Sequence, residues 1–227
     1  MRLLRVSLLI KVDYRVYGSG GAECVMHGDC CDAKDRHLPT TIMDNFIRRL
    51  ISPPKKKVSK YVRAGTVAAD LGCGPGYFTI PMAELVGEGG KVYAVDSDAK
   101  SIQKLRQKMG LNLRNIVDSR IASAARVDRV RDASVDFVFA NGLLCCMSDH
   151  NGAIAEIKRI LKPTGLAYLS VTKFYRKNDP RAVRKEEWNH ILQGFGVKEM
   201  HEGFLNRWAL VSLRKSTPQQ SAPTERG

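Results

Sequence analysis

The sequence predicts a doubly wound α/β sheet, on three observations. Strand-like and helix-like segments alternate from about residue 66 to about residue 214. A glycine-rich loop, Gly72-Cys73-Gly74-Pro75-Gly76, joins the first apolar strand to the helix after it, an arrangement that seats a ligand outside the carboxyl ends of parallel strands. The last two strand patterns, near 197–202 and 207–214, are linked too tightly for a crossover and so form an antiparallel hairpin.

The elements follow in order. Residues 5–17 alternate, with Val6, Leu8, Ile10, Val12, Tyr14 and Val16 on one face, a strand pattern without an evident partner. A second reading has translation begin at Met26, which would make the first 25 residues extraneous. Residues 1–40 form a loop-rich extension containing Gly18, Gly20, Gly21 and Gly28. Thr41 caps a helix to about Ile51 with Ile42, Phe46, Ile47 and Leu50 as its stripe, and Pro53-Pro54 stops it. A second helix, about 54–63, packs Val58, Tyr61 and Val62, and Gly65 ends it. Residues 41–65 are thus a helical lead-in, and 66–215 the main domain.

Val67 to Ala69 is a buried strand that ends at Asp70. Gly72, Gly74 and Gly76 let the backbone turn tightly and a ligand approach it closely. Pro81 suits the first turn of the next helix, whose Ile80, Ala83, Leu85 and Val86 face the sheet. Lys91 to Val95 is the second strand, ending in Asp96; Ser97 or Asp98 then caps a helix bearing Ile102, Leu105 and Met109, closed by Gly110. The third strand spans about 116–122 and the fourth Val135 to Ala140, with Asn141 and Gly142 at the topological switch. Asp149 caps a helix at 150–162 whose Ile154, Ile157, Ile160 and Leu161 point inward. Lys162 to Gly165 turns into the fifth strand, 166–172, and Asp179-Pro180 opens a helix to about Gly194 that carries Trp188, Ile191 and Leu192. Residues 216–227, rich in Ser, Pro, Gln and Thr, read as a disordered tail.

Composition narrows the class. With 227 residues, 44% hydrophobic and 26% charged, the chain has the make-up of a soluble globular protein. No apolar run approaches the length that spans a bilayer, and Met1 to Ile10 lacks a small-residue cleavage site, so neither membrane nor signal peptide is expected. Six cysteines without an extracellular signal fit free thiols in a reducing cytoplasm. The net charge of +14 raises nucleic acid as a partner. Lysines and arginines are scattered, however, with one dense run at Lys55-Lys56-Lys57, which favours a solvated basic surface.

The ligand can be read from its neighbours. Tyr77 stands where a dinucleotide fingerprint has its third glycine. The Asp70 carboxylate is a poor neighbour for a pyrophosphate and a good one for an ammonium or sulfonium. Asp96, at the second strand's end, can accept both ribose hydroxyls. At these residues the sequence resembles the class I S-adenosylmethionine-dependent methyltransferases, in the broad type 11-like group with small-molecule acceptors. The resemblance rests on D-L-G-C-G-P-G-Y-F-T (70–79), V-Y-A-V-D-S-D (92–98), S-V-D-F-V-F-A-N (134–141) and I-K-R-I-L-K-P-T-G (157–165), and covers roughly 41–214. It implies a Rossmann-like sheet of seven strands in the order 3-2-1-4-5-7-6. It also implies S-adenosylmethionine as cofactor, bound by Asp70, Gly72, Gly74, Gly76, Tyr77, Asp96, Ser97, Ser123 and Asn141, with the lead-in helices covering it.

The sequence departs from the family at several points. Ser123 stands where the family often has an acid gripping adenine. The N-P-P-Y-type tetrapeptide of amino-group and base methyltransferases is replaced by Asn141-Gly142-Leu143-Leu144. Cys145 and Cys146 lack the preceding proline of cytosine-5 enzymes, so packing is expected of them. His150 and Asp149 are the nearest base candidates, His150 being expected as a surface residue at a helix start; neither is assigned as catalytic. A small-molecule methyltransferase, an RNA methyltransferase and a catalytically silent cofactor-binding protein are the readings carried forward.

One cluster stands apart: Cys24, His27, Cys30, Cys31 and His37, spaced C-x2-H-x2-C-C-x5-H. Zinc takes such ligands, but the spacing matches no known zinc module, and adjacent cysteines seldom bind one ion. A plain loop is expected, ahead of structural metal and of a thiophilic substrate such as arsenite. Purified protein is therefore predicted to be metal-free and to keep its fold in chelator. Elemental analysis checks this: stoichiometric zinc, lost together with folding in a C30S/C31S variant, would contradict it.

Overall fold

A computed structural model describes residues 53–175 and 178–214. The strand pattern at 5–17, the Cys/His segment, the helix expected at 41–51 and the tail lie outside these residues.

Within them the chain runs α1 (Pro54–Val58), β1 (Val67–Leu71), α2 (Thr79–Val86), β2 (Lys91–Asp96), α3 (Ala99–Lys108), α4 (Leu111–Arg114), β3 (Val117–Ile121), β4 (Val135–Asn141), a 3-10 turn (Leu144–Cys146), α5 (His150–Ile160), β5 (Leu161–Thr172), α6 (Lys185–Gln193), β6 (Phe195–Glu202) and β7 (Asn206–Leu213). The seven strands lie in the order β3-β2-β1-β4-β5-β7-β6, as the sequence implies. β1 to β5 pair in parallel, and β7 enters antiparallel between β5 and β6. The carboxyl ends of β1, β2 and β4 therefore open on one edge of the sheet.

Both faces of the central strands are apolar, which is why those strands read as continuous hydrophobic runs. One face carries Ala69, Leu71, Val138, Ala140, Leu169 and Val171 against Ile157, Ile160, Trp188 and Ile191 of α5 and α6. The other carries Ala68, Val92, Ala94, Phe137, Phe139 and Tyr168 against α1, α2 and α3, through Val58, Met82, Ala83, Ile102 and Leu105. At the amino edge, Asp136 accepts the Val67 amide (3.0 Å) and the Lys162 ammonium (2.7 Å), so one carboxylate ties β1, β4 and the start of β5 together.

Several boundaries differ from expectation, each for a local reason. The helix expected at 54–63 stops at Val58, where Ser59 turns its hydroxyl back to the Lys56 carbonyl. The Thr41-to-Ile51 helix that would precede it is outside the described residues. Asp98, not Ser97, caps α3 by accepting the amides of Lys100 and Ser101. Met109 is the C-cap of that helix, and Gly110 begins the single turn of α4. The helix expected at 150–162 ends at Ile160, because Leu161 already pairs with Val135; pairing resumes at Leu166 with Phe137 after an irregular stretch. The helix expected from Asp179 starts instead at Lys185. Asp179 spends its carboxylate on the Arg181 amide and guanidinium, forming a closed turn rather than a helix start.

The sheet is bordered by polar strands. Beyond Phe195 the outermost strand, β6, is mostly exposed, and its register shifts between Val197 and Glu199. On the other border, Arg120 of β3 pairs with Asp118 and with the Asp128 carbonyl. Among the described residues no helix is long and apolar enough to cross a membrane.

Trp188 is 2% exposed and fills the α6 face of the core. Trp188→Ala is predicted to lower stability by about 3–5 kcal/mol, read by urea denaturation. A loss of less than about 1 kcal/mol would show that α6 is not part of the cooperative core.

Candidate active site

The loop between β1 and α2 is pinned to the end of β2. The amides of Gly72 and Cys73 both donate to the Val95 carbonyl, at 2.8 and 3.1 Å. One residue on, the Gly74 amide donates to Asp96 Oδ2 at 2.7 Å, while Asp96 Oδ1 accepts the Asp98 amide at 2.8 Å. Glycine is required here: Gly72, Gly74 and Gly76 have φ of +73°, +52° and +86°. At Gly76 a Cβ would also stand 2.4 Å from Leu105 Cδ1, so that side chain would have to shift.

Beneath this loop lies Asp70, 3% exposed, accepting the Thr79 hydroxyl at 2.6 Å. Burial is the main force on its carboxyl and pushes its pKa up to about 7; the Thr79 hydrogen bond opposes this and nearby Asp96 adds to it. Asp70 therefore changes charge near neutral pH and favours a cationic neighbour. Burial, reinforced by Asp70 and Asp96, also pushes the Cys73 thiol well up, which excludes a thiolate there.

The other predicted positions fall around the same edge. Ser97 follows Asp96 directly and is half-buried. Ser123 lies just past β3, where its hydroxyl accepts the Ala125 amide at 3.2 Å, and the neighbouring Ala122 amide bonds the Asp96 carbonyl. Asn141 ends β4; its Oδ1 accepts from the Ser170 hydroxyl (3.1 Å) and the Lys57 ammonium (2.8 Å). Ser170 in turn accepts the Gly142 amide, so β4 and β5 are locked together at their carboxyl ends. Tyr77 turns into the core instead, 5% exposed, with its ring edge-on to Phe78.

His150 differs from the surface residue expected. It is 7% exposed, with Nδ1 against the Glu187 carboxylate and Nε2 2.9 Å from the Met147 carbonyl. The ring thus ties α5 to α6 with both of its nitrogens engaged. Asp149 caps α5 at the Gly152 amide. The Tyr168 phenol is held well above its ordinary pKa, chiefly by burial. Cys145 sets its thiol on the Gly142 carbonyl, in the turn following β4.

Three of these residues carry little signal of their own in the sequence. Thr79 sits inside the quoted motif, and its spacing from Asp70 was the available signal. Ser170 shows itself only through strand pairing. Lys57 stands in a basic run that looks solvated in the sequence, yet its ammonium lies over the rings of Tyr168 (4.6 Å), Phe78 (5.5 Å) and Phe139 (5.6 Å). A surface groove of about 530 Å³ between α6 and β6, lined by Asn189, Gln193, Val197 and Met200, lies far across the sheet from Asp96.

Among the described residues no group of three or more His, Cys, Asp or Glu side chains could hold a metal ion. An adenosyl cofactor does fit what is present. A carboxylate is held at a strand end by backbone amides, a glycine loop lets a ligand approach closely, and a second, buried acid favours a positive charge.

Comparison with known proteins agrees. Residues 69–169 match the family described as a methyltransferase domain. The chain is 34% identical over 105 residues to a demethylmenaquinone methyltransferase of Lactobacillus johnsonii, covering 46% of this chain and 43% of that one. It is 31% identical over 122 residues to a trans-aconitate 2-methyltransferase of an Azoarcus species, covering 54% and 45%. The chain thus spans less than half the length of these curated relatives. A SAM-dependent methyltransferase from Aquifex aeolicus superimposes with a TM-score of 0.66 over 77% of this chain and 97% of that one, at 23% identity, which shows a shared fold. The matched region, the strand order and the pinned glycine loop agree: residues 69–169 resemble a methyltransferase domain, and the chain shares its fold with an S-adenosylmethionine-dependent methyltransferase.

Proposed function

We propose that the protein transfers a methyl group from S-adenosylmethionine to a small-molecule acceptor, with residues 66–215 as the catalytic unit, 41–65 as its lead-in and the cytoplasm as its location. The observation that carries this reading is the Asp96 carboxylate bonded to the Gly74 amide, with buried Asp70 beneath. Asp96 would take the ribose hydroxyls, since a carboxylate offers about four acceptor directions, more than two amides use. Ser97 and Ser123 would border the adenosyl half. Asp70 would face the cationic end, and Asn141, fixed by Ser170, would line the point of transfer. Tyr77 would act from the core, keeping Phe78 and the loop in place.

When bound, the cofactor supplies a methyl group already activated on a sulfonium. The chain's residues then have to position the acceptor and exclude water. The groups around β4's end fit that task better than proton abstraction. His150 and Asp149 are spent on structure, and the phenol and thiol nearby are held protonated. The trans-aconitate and demethylmenaquinone enzymes, by their names, methylate small molecules, which supports the same acceptor class here. Nucleic acid remains the less favoured partner, because the basic residues are scattered along the sequence, with one dense run at Lys55-Lys56-Lys57.

Two outcomes test the cofactor assignment by calorimetry. Asp96→Ala is predicted to weaken S-adenosylhomocysteine binding by about 1–3 kcal/mol, through unpaired hydroxyls and a loosened Gly74. Undiminished affinity would remove Asp96 from the site. The second outcome concerns pH. The ligand-free fold holds the Asp70 proton more tightly than the unfolded chain does, so its stability falls as pH rises from about 4 toward 7. A cationic ligand favours the ionised carboxyl, so affinity for S-adenosylmethionine is predicted to rise about tenfold between pH 6 and pH 8, and to flatten in Asp70→Asn. A flat wild-type profile would uncouple Asp70 from the ligand.

A further inference from the structure

We propose that Thr79 is a positioning residue of the cofactor site: its hydroxyl holds the Asp70 carboxyl in place and favours its ionised form, and so governs how well a cationic ligand is told from a neutral one. The proposal rests on the methyltransferase reading and adds a residue to its site. The geometry carries it. Thr79 Oγ1 donates to Asp70 Oδ2 at 2.6 Å, across nine positions of chain. Both side chains are buried, Thr79 completely. The bond spans the glycine loop and ties the end of β1 to the first residue of α2.

A threonine at a helix start ordinarily serves as its cap. Thr79 does not. Phe78 is the N-cap of α2, and no side chain caps that helix. The hydroxyl is spent on Asp70 instead, and leaving the helix uncapped is a cost that a purely structural threonine would not impose.

The surroundings show what the hydroxyl does there. Within the sheet Asp70 stands opposite Ala94 of β2 and Phe139 of β4, neither of which has a polar side chain. The titratable groups around it are Asp96, at the end of β2, and Cys73 in the loop, whose thiol stays protonated. Burial opposes ionisation of Asp70, and the charge of Asp96 adds to that. The Thr79 hydrogen bond works in the other direction. A hydroxyl that donates to a carboxylate stabilises its charged form, and it does so most where water does not compete. Ionised Asp70 attracts a sulfonium or an ammonium, and neutral Asp70 does not. Thr79 therefore acts on the ligand through Asp70.

The test uses the full chain with Thr79→Val, which keeps the shape and removes the hydroxyl, and Thr79→Ser, which keeps the hydroxyl. In ligand-free protein, NMR of the carboxyl carbons follows the titration of Asp70. Its midpoint should rise by about one pH unit in Thr79→Val and stay close to the wild type in Thr79→Ser. Calorimetry then compares S-adenosylmethionine with methylthioadenosine, which carries the adenosyl half without a positive charge. At neutral pH Thr79→Val should bind S-adenosylmethionine about fivefold more weakly than the wild type, and the gap should narrow as pH rises. Affinity for methylthioadenosine should stay within twofold. Thermal unfolding verifies the fold. Should Thr79→Val fail to fold, the wild type decides: the NMR signal of the buried Thr79 hydroxyl proton should shift in step with Asp70. An Asp70 midpoint or an S-adenosylmethionine profile unmoved in Thr79→Val, or a hydroxyl proton indifferent to Asp70, overturns the proposal. So does an equal loss of methylthioadenosine affinity, which would make Thr79 a support of the loop alone. A wild type that binds neither ligand would fail the methyltransferase reading, and the NMR titration would still decide whether Thr79 controls Asp70.

Discussion

Asp96 accepts one backbone amide on each carboxylate oxygen, Gly74 from the loop after β1 and Asp98 from the start of α3. Much of the site depends on that pair of bonds. They hold a left-handed loop against the end of the neighbouring strand and turn the chain into a helix whose Leu105 closes the space beside Gly76. The same carboxylate adds negative charge next to Asp70 and helps keep that group near its point of ionisation. Loop shape, helix start and local charge are therefore set by one side chain, and a ligand that touches Asp96 reaches all three.

The sheet divides its two faces by kind of residue. Against α5 and α6 the packing is largely aliphatic, with Trp188 and Phe195 closing it. Against α1 to α3 it is rich in rings: Tyr61 on Phe137, Phe78 on Phe139, then Phe139, Tyr168 and Trp208 in a stacked row. The row begins in the core at β4 and reaches the half-exposed Trp208 on β7 and the exposed His201 on β6. Aliphatic packing suits a face that only has to hold helices. A ring-rich face can also hold a cation, and the Lys57 ammonium lies over the rings of Tyr168, Phe78 and Phe139.

Much of this was legible in the residues. β1, β2, β4 and β5 are buried on both sides, so they read as apolar runs between polar turns, and the short link before β7 fixed the direction of the final hairpin. Gly72, Gly74, Gly76, Asp70 and Asp96 could be located because backbone geometry demands them at fixed spacing. What escaped depends on partners distant in sequence. Glu187 lies 37 residues from His150, and nothing around His150 announces that it will be buried. Lys57 looks like its two lysine neighbours until strands β4 and β5 bring Asn141 and Tyr168 beside it. Asp179-Pro180 has the form of a helix start, but the choice of Arg181 as the aspartate's partner is a competition between local geometries that residue type does not decide.

The polar borders of the sheet have a consequence of another kind. A strand with unpaired amides on one side is a template onto which a second chain can add, and a seven-stranded sheet has two such strands. β6 offers a broken register and the polar side chains Lys198, Glu199, His201 and Glu202 on either side of the exposed Met200; β3 offers an arginine folded across its own aspartate. The broken register of the one and the charged side chains of both make them poor templates for another molecule. Together with a net charge of +14 that keeps copies apart, these edges predispose the folded domain to stay dispersed at high concentration rather than grow into fibres.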